Sequence, residues 1–175
     1  YAVNHIVFAQ DPVGGGWRYS AKQPGDTSAV GWQLMALKCG HMGYLQVPPQ
    51  TVAKASMFLD AVSIQQGAFY GYTSPGRGPA TTAVGLLCRM YLGWKKDQPG
   101  LQAGVKFLSK TGPLKTNMYY NYYATQVLRH WEGPEWTEWN NEMREWLVDS
   151  QSQRGHENGS WYMGGGHSGQ GGRLY

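Results

Sequence analysis

The sequence predicts an all-α fold in which an inner layer of helices is covered by an outer layer. Three observations lead to this prediction. Segments that are apolar on nearly all sides alternate with amphipathic segments, as helices packed on both faces alternate with helices that cover them. A glycine- and aromatic-rich loop recurs at intervals of roughly 40–55 residues, which is typical of a repeat architecture. No segment shows the convincing apolar–polar alternation of a β-strand.

The first repeat covers about residues 1–40. A short apolar stripe in residues 1–10 indicates the end of a helix, and the loop GGGWRYS follows. The next helix is predicted over about Thr27–Cys39, because Asp26 and Thr27 can accept the free N–H groups of a first helical turn. Gly40 suits the left-handed residue that follows a last turn, so we expect the helix to stop there. Its side chains leave almost no polar face, and we expect it to be buried on most sides.

The second repeat covers about residues 51–93 and follows the same plan. An amphipathic helix is predicted over Thr51–Ile64, and the loop FYGYTSPGRG comes after it. Its YGY tripeptide corresponds to WRY in the first loop. Pro79 then opens a second apolar helix, at a position where its missing N–H costs nothing.

The third and fourth repeats cover about residues 100–131 and 134–175. A short outer helix is predicted over Gly100–Lys110, a loop and helix over 115–130, and another helix from Gly133-Pro134 onward. We expect Leu174-Tyr175 to begin a further buried helix. A stripe of large apolar residues at helical spacing in the fourth repeat is far more often core than a binding site. That stripe comprises Trp136, Trp139, Met143, Trp146 and Leu147.

Composition limits the classes of function. The chain has 175 residues, enough for one domain with a sizeable core, and it is rich in Tyr (12), Trp (8) and Gly (25). The formal net charge of +4 is spread over scattered Lys and Arg residues, so no nucleic-acid-binding stripe is predicted. No apolar run reaches the roughly 18 residues of a transmembrane helix. Cys39 and Cys88 are expected to be buried thiols that act as small apolar groups, with a disulfide or a shared metal site as the alternative.

The recurring residues resemble a repeat family that contains squalene–hopene cyclases, oxidosqualene cyclases and protein prenyltransferase β subunits. The signature of that family is an aromatic–aliphatic pair, then Gln, then Gly-x-Trp. Trp146-Leu147, Gln151 and Gly159-Ser160-Trp161 match it in the last repeat, with a longer gap before the glycine. A looser match in the first repeat comprises Ile6, Gln10 and Gly15-Gly16-Trp17.

The resemblance implies an α/α toroid of inner and outer helix pairs. Because a closed ring in this family takes more helix pairs than this chain supplies, the expected fold is an incomplete α/α toroid. We therefore expect the chain to be an excised portion, or the ordered remainder, of a longer protein. An incomplete ring exposes the apolar edges of its inner helices, which favours self-association.

The resemblance is weaker for activity. The cyclases protonate their substrate with the middle Asp of an Asp-x-Asp-Asp-Thr-Ala motif, and the similar segment here reads QPGDTS. Asp26 and Thr27 are kept, but Gly25 stands at the position of the acid, so no cyclase activity is expected. The Asp-x-Cys of the zinc-binding prenyltransferases has no match. Cys39-Gly40-His41 alone is weak support for a metal, and no metal or cofactor is predicted.

The most consistent function is the binding of an apolar small molecule, an isoprenoid or a lipid, in a cavity lined by aromatic side chains. A non-catalytic scaffold that binds a protein partner is the alternative, and a carbohydrate-active toroid is a weaker one. The candidate ligand-binding residues are Trp17, Tyr19, Asp26, Tyr72, Tyr119, Tyr120, Tyr122, Tyr123, Trp161 and His167.

Overall fold

The computed structural model describes residues 1–162 and 172–174. The described chain is mostly helical, as the sequence predicts. Its α-helices are α1 (Ala2–Ala9), α2 (Thr27–Met42), α3 (Pro49–Ala61), α4 (Pro79–Tyr91), α5 (Pro99–Thr111), α6 (Met118–Trp131) and α7 (Gly133–Ser150). Among the described residues, four two-residue strands form two antiparallel pairs: β1 (Ser63–Ile64) with β2 (Phe69–Tyr70), and β3 (Trp161–Tyr162) with β4 (Arg173–Leu174). A two-residue strand is too short to show alternation, which explains why the sequence gives no sign of them.

The backbone divides into two compact units, Tyr1–Gly104 and Val105–Tyr175. The division falls within α5. In the first unit α2 and α4 make the most extensive helix–helix contact, and α1 and α3 also pack on α2. Residues 82–89 of α4 are all buried, so this helix is packed on all sides.

The prediction that α2 is buried on most sides is wrong. Val30, Leu34 and Leu37 are buried against the neighbouring helices, but Trp32 is 48% exposed. Cys39 is also exposed, which corrects the expectation of two buried thiols, while Cys88 on α4 is buried. The physical reason is that α1, α3 and α4 cover only part of the circumference of α2, so apolar composition overstates its burial.

The predicted end of α2 at Gly40 is also wrong. The helix continues to Met42, and Gly43 donates its N–H to the Cys39 carbonyl at 2.9 Å. The left-handed residue is Tyr44, with φ of 59°. Tyr44 N–H donates to the His41 carbonyl and the next N–H donates to the Gly40 carbonyl, which is the Schellman pattern of a helix end. Gly40 is therefore an ordinary helical residue.

Several helix starts agree with the sequence. Asp26 caps α2 by accepting a hydrogen bond from the Ala29 N–H at 2.8 Å, and proline occupies the first turn of both α4 and α7. The expected helix at Leu174 is not formed, since Leu174 pairs with Trp161 in the second hairpin. Tyr175 lies outside the described residues.

In the second unit α6 packs against α7. The ring of Tyr120 meets the ring of Trp139 edge to face at 5.9 Å, and the Trp139 indole N–H donates to Thr125 Oγ1 at 2.9 Å. The α7 stripe is core only in part. Trp139 and Met143 are buried, whereas Trp136, Trp146 and Leu147 are half-buried.

Candidate functional site

The first glycine-aromatic loop is fastened to α1 by two side-chain hydrogen bonds. Gln10 Nε2 donates to the Gly15 carbonyl at 2.8 Å, and Trp17 Nε1 donates to the Ile6 carbonyl at 2.8 Å. Gln10 Nε2 also donates to the carbonyl of Thr51 at the start of α3. Because Trp17 is only 2% exposed and its N–H has a partner, its ring is part of the core rather than of an open cavity.

The last loop is fastened to α7 in the same way. Gln151 Nε2 donates to the Gly159 carbonyl at 2.9 Å, and Trp161 Nε1 donates to the Leu147 carbonyl at 2.7 Å. In both loops the Trp acceptor lies four residues before the Gln, and the Gln acceptor lies two residues before the Trp. The residues that carry the family resemblance therefore perform one structural role twice. We call each of these pairs a Gln–Trp tie.

A polar cluster surrounds Asp26 at the start of α2. Asp26 is fully buried, and its Oδ1 accepts the capping hydrogen bond from Ala29. Its Oδ2 has no hydrogen-bond partner within the part of the chain that the structure describes, and Arg18 Nε lies 3.9 Å from it. Burial raises the pKa of Tyr72, and the neighbouring Tyr19 hydroxyl and Asp26 carboxylate raise it further. Tyr19 is 86% exposed, so it forms the outer edge of this cluster.

Gly25, which stands where the resemblance would place an acid, has no room for a side chain. A Cβ atom there would lie 2.6 Å from the Cα of Gly16 and 2.9 Å from the backbone N of Trp17. These are backbone atoms, which cannot rotate away as the end of a flexible side chain can. An acidic side chain at this position would require the segment around Gly25 to move away from the segment around Gly16.

The aromatic side chains of α6 pack mainly on one another. Tyr123 meets Tyr119 at 5.0 Å and Tyr122 at 5.1 Å, both edge to face. Tyr120 and Tyr123 are buried, and burial raises the pKa of Tyr120. Only Tyr122 of these four is substantially exposed, at 44%.

A groove of about 600 Å³ lies between α6 and α7 in the second unit. Its lining is mostly aromatic and aliphatic, with Asn121, Gln126 and Arg144 among its polar groups. The apolar side chains that define it include Met118, Tyr122, Trp136, Met143, Leu147 and Val148. Of the proposed ligand-binding residues that the structure describes, only Tyr122 lines it. The helical spacing of the α7 stripe identifies the apolar face that lines this groove, but from the sequence that face is predicted to be core.

The candidate residues thus fall into three groups. Trp17 and Trp161 form the Gln–Trp ties. Tyr19, Asp26 and Tyr72 form the polar cluster of the first unit. The α6 tyrosines belong to the second unit, and His167 lies outside the described residues.

No family model, curated protein or solved structure matches the chain. None of the described helices combines the length and the apolar character needed to cross a membrane. Within residues 1–162 and 172–174, no three His, Cys, Asp or Glu side chains are grouped closely enough to hold a metal ion.

Proposed function

We propose that this chain is an incomplete α/α-toroid repeat domain of the squalene cyclase and prenyltransferase type, which binds an apolar molecule without cyclising it. The groove between α6 and α7 carries the proposal. Its volume of about 600 Å³ is in the range of small-molecule sites, roughly 300–1,000 Å³. Such sites combine an apolar lining with a few polar groups, as this groove does.

The two Gln–Trp ties support the family part of the proposal. They join equivalent acceptors in the first and the last repeat, although the two loops differ in length. A hydrogen-bond arrangement that recurs with the quoted signature is expected if both repeats descend from one unit.

Gly25 supports the absence of cyclase chemistry. Alkene protonation needs a strong, positioned acid, and the backbone facing Gly25 leaves no space for one. The nearby Asp26 already caps α2 through Oδ1.

Titration with farnesol, followed by tryptophan fluorescence, tests the binding function. Trp136 lines the groove, so saturable binding should change the emission. Val148→Glu places a carboxylate at the edge of the groove, where Val148 is 62% exposed, and should weaken binding by about tenfold, because a bound apolar chain would have to remove water from that carboxylate. Val13→Glu is the matched control, since Val13 is 86% exposed and lies in the first unit.

Two results would count against the proposal: no saturable binding by folded protein, or equal affinity in Val148→Glu and the unaltered chain. The alternative function, a non-catalytic scaffold that binds a protein partner, would then be the better-supported hypothesis. The specific observation in its favour is that Tyr120 and Tyr123 are buried, with their rings packed on other rings. Self-association stays a prediction, and a strictly monomeric result in sedimentation would contradict it.

A further inference from the structure

The first unit contains a pocket of its own, at the place where α2 and α4 end and α3 begins. Its volume is about 340 Å³. Leu34 and Leu37 line it and are only 3% and 2% exposed, so its floor reaches the core. Val47, Val52, Tyr91 and Leu92 also line it, which makes most of the wall apolar.

One face of α2 changes from apolar to basic along this pocket. Leu34, Leu37, Lys38 and His41 all line it, and their spacing places them on one side of the helix. The two leucines lie toward the middle of α2, and the two basic residues lie in its final turns. No acidic residue is among the lining residues. The pocket therefore has an apolar floor and a basic mouth.

We propose that this pocket binds an amphipathic carboxylate, that is, a single alkyl chain that ends in a carboxylate group. The alkyl chain lies against Leu34 and Leu37, and the carboxylate accepts hydrogen bonds from the Lys38 ammonium and the His41 imidazole. Charge complementarity selects the head group: the full positive charge of Lys38 and the roughly half positive charge at the start of α3 together exceed the roughly half negative charges at the ends of α2 and α4.

This site is independent of the groove in the second unit, because the two share no residue. The two proposals therefore fail separately. A farnesol titration reports on the groove, and an alkanoate titration reports on the α2 pocket.

Calorimetric titration with octanoate, decanoate and dodecanoate tests the chain part of the proposal. Each added methylene that is buried should tighten binding about fourfold, until the pocket is full and the gain stops. Dodecanol and dodecylammonium should bind more weakly than dodecanoate. Added salt should weaken only the binding of the carboxylate, because screening acts on the charge pair.

Substitutions at the mouth test the head-group part. The double variant Lys38→Gln/His41→Gln should weaken dodecanoate binding at least about tenfold and leave dodecanol binding unchanged, because it removes charge-assisted hydrogen bonds and little apolar surface. Lys95→Gln, at an exposed lysine outside the pocket, is the control and should bind as the unaltered chain does. Val52→Trp should block the pocket to both ligands.

Equal binding of dodecanoate and dodecanol, unaffected by the double variant, would overturn the proposal. So would a loss of dodecanoate binding in Val148→Glu, because the acid would then occupy the groove. An affinity that keeps rising with chain length, at several sites per chain, would show detergent-like adsorption and would also overturn it.

Discussion

The end of α2 provides a test, because the structure and the sequence predict opposite effects of substituting Gly40 on the stability of the protein. Gly40 lies inside the helix, and Tyr44 holds the left-handed position after it. We expect Gly40→Ala and Tyr44→Gly each to stabilise the first unit. If the helix stopped at Gly40, as the sequence suggests, alanine there would be strained and destabilising.

The magnitudes follow from the local geometry. Gly→Ala inside a helix contributes about 1 kcal/mol. A Cβ at Gly40 would lie 3.4 Å from Val3 Cγ2, an ordinary contact that should not offset the gain. Tyr44→Gly removes the cost of a side chain in the left-handed region, about 1–2 kcal/mol, less the greater freedom of glycine in the unfolded chain. Tyr44 is 96% exposed, so little packing is lost, and a net gain of about 1 kcal/mol is expected.

Thermal and urea unfolding followed by circular dichroism would measure both effects. For a unit of this size, 1 kcal/mol corresponds to a rise in Tm of about 4 °C. Tyr19→Gly is the control for Tyr44→Gly, because Tyr19 is similarly exposed but lacks a positive φ, so glycine there should destabilise. A loss of stability in Gly40→Ala, with no gain in Tyr44→Gly, would refute the assignment of this helix end.

Four further outcomes are expected. Gly25→Ala should cost about 1–3 kcal/mol in urea unfolding, because its Cβ meets rigid backbone, and a neutral effect would contradict the close approach. Asp26→Ala should cost about 1 kcal/mol and Asp26→Asn much less, since asparagine also caps helices; equal losses in thermal melts would argue against the capping role. A thiol reagent at neutral pH should modify exposed Cys39 in the native protein and leave buried Cys88 unmodified, as peptide mass mapping would show. Burial raises the pKa of Cys88 to about 12 from 9.0, so its contribution to stability is complete below about pH 9 and is lost as the pH rises toward 12. Urea midpoints between pH 8 and 11 should therefore fall less steeply in Cys88→Ala, and identical slopes would show that this thiol does not titrate differently on folding.

Local chemistry was sufficient to predict where α2, α4 and α7 begin. A capping carboxylate at Asp26 and a proline at Pro79 act within one turn, so they can be recognised without knowing the fold. The end of α2 was not predictable in the same way. Gly40 is compatible with both a helix interior and a helix stop, and the choice depends on the turn that follows, where Tyr44 accepts a conformation that glycine would adopt more easily.

The roles of the aromatic side chains could not be predicted from spacing. Trp17 and Tyr19 lie two residues apart in one loop, yet the first is 2% exposed and the second is 86% exposed. In α7 both Trp136 and Trp139 line the groove, yet Trp139 is 2% exposed and Trp136 is half-buried. The burial of each ring depends on contacts between segments that are distant in the sequence, and those contacts cannot be predicted from local spacing.

The Gln–Trp ties have a consequence for how these loops can change. Seven positions separate Gln10 from Trp17 and ten separate Gln151 from Trp161, yet both loops are held through equivalent atoms. The acceptors are backbone carbonyls, which every residue type supplies, so the tie depends on two side chains and not on the residues between them. Since loop-closure free energy grows only slowly with length, by about 0.6 kcal/mol per doubling, such a loop can gain residues without loosening its ends. Ser152 and Glu157 make further hydrogen bonds within the last loop, so the exposed pair Gln153-Arg154 is the natural place to insert a peptide tag or a recognition sequence while α7 stays anchored.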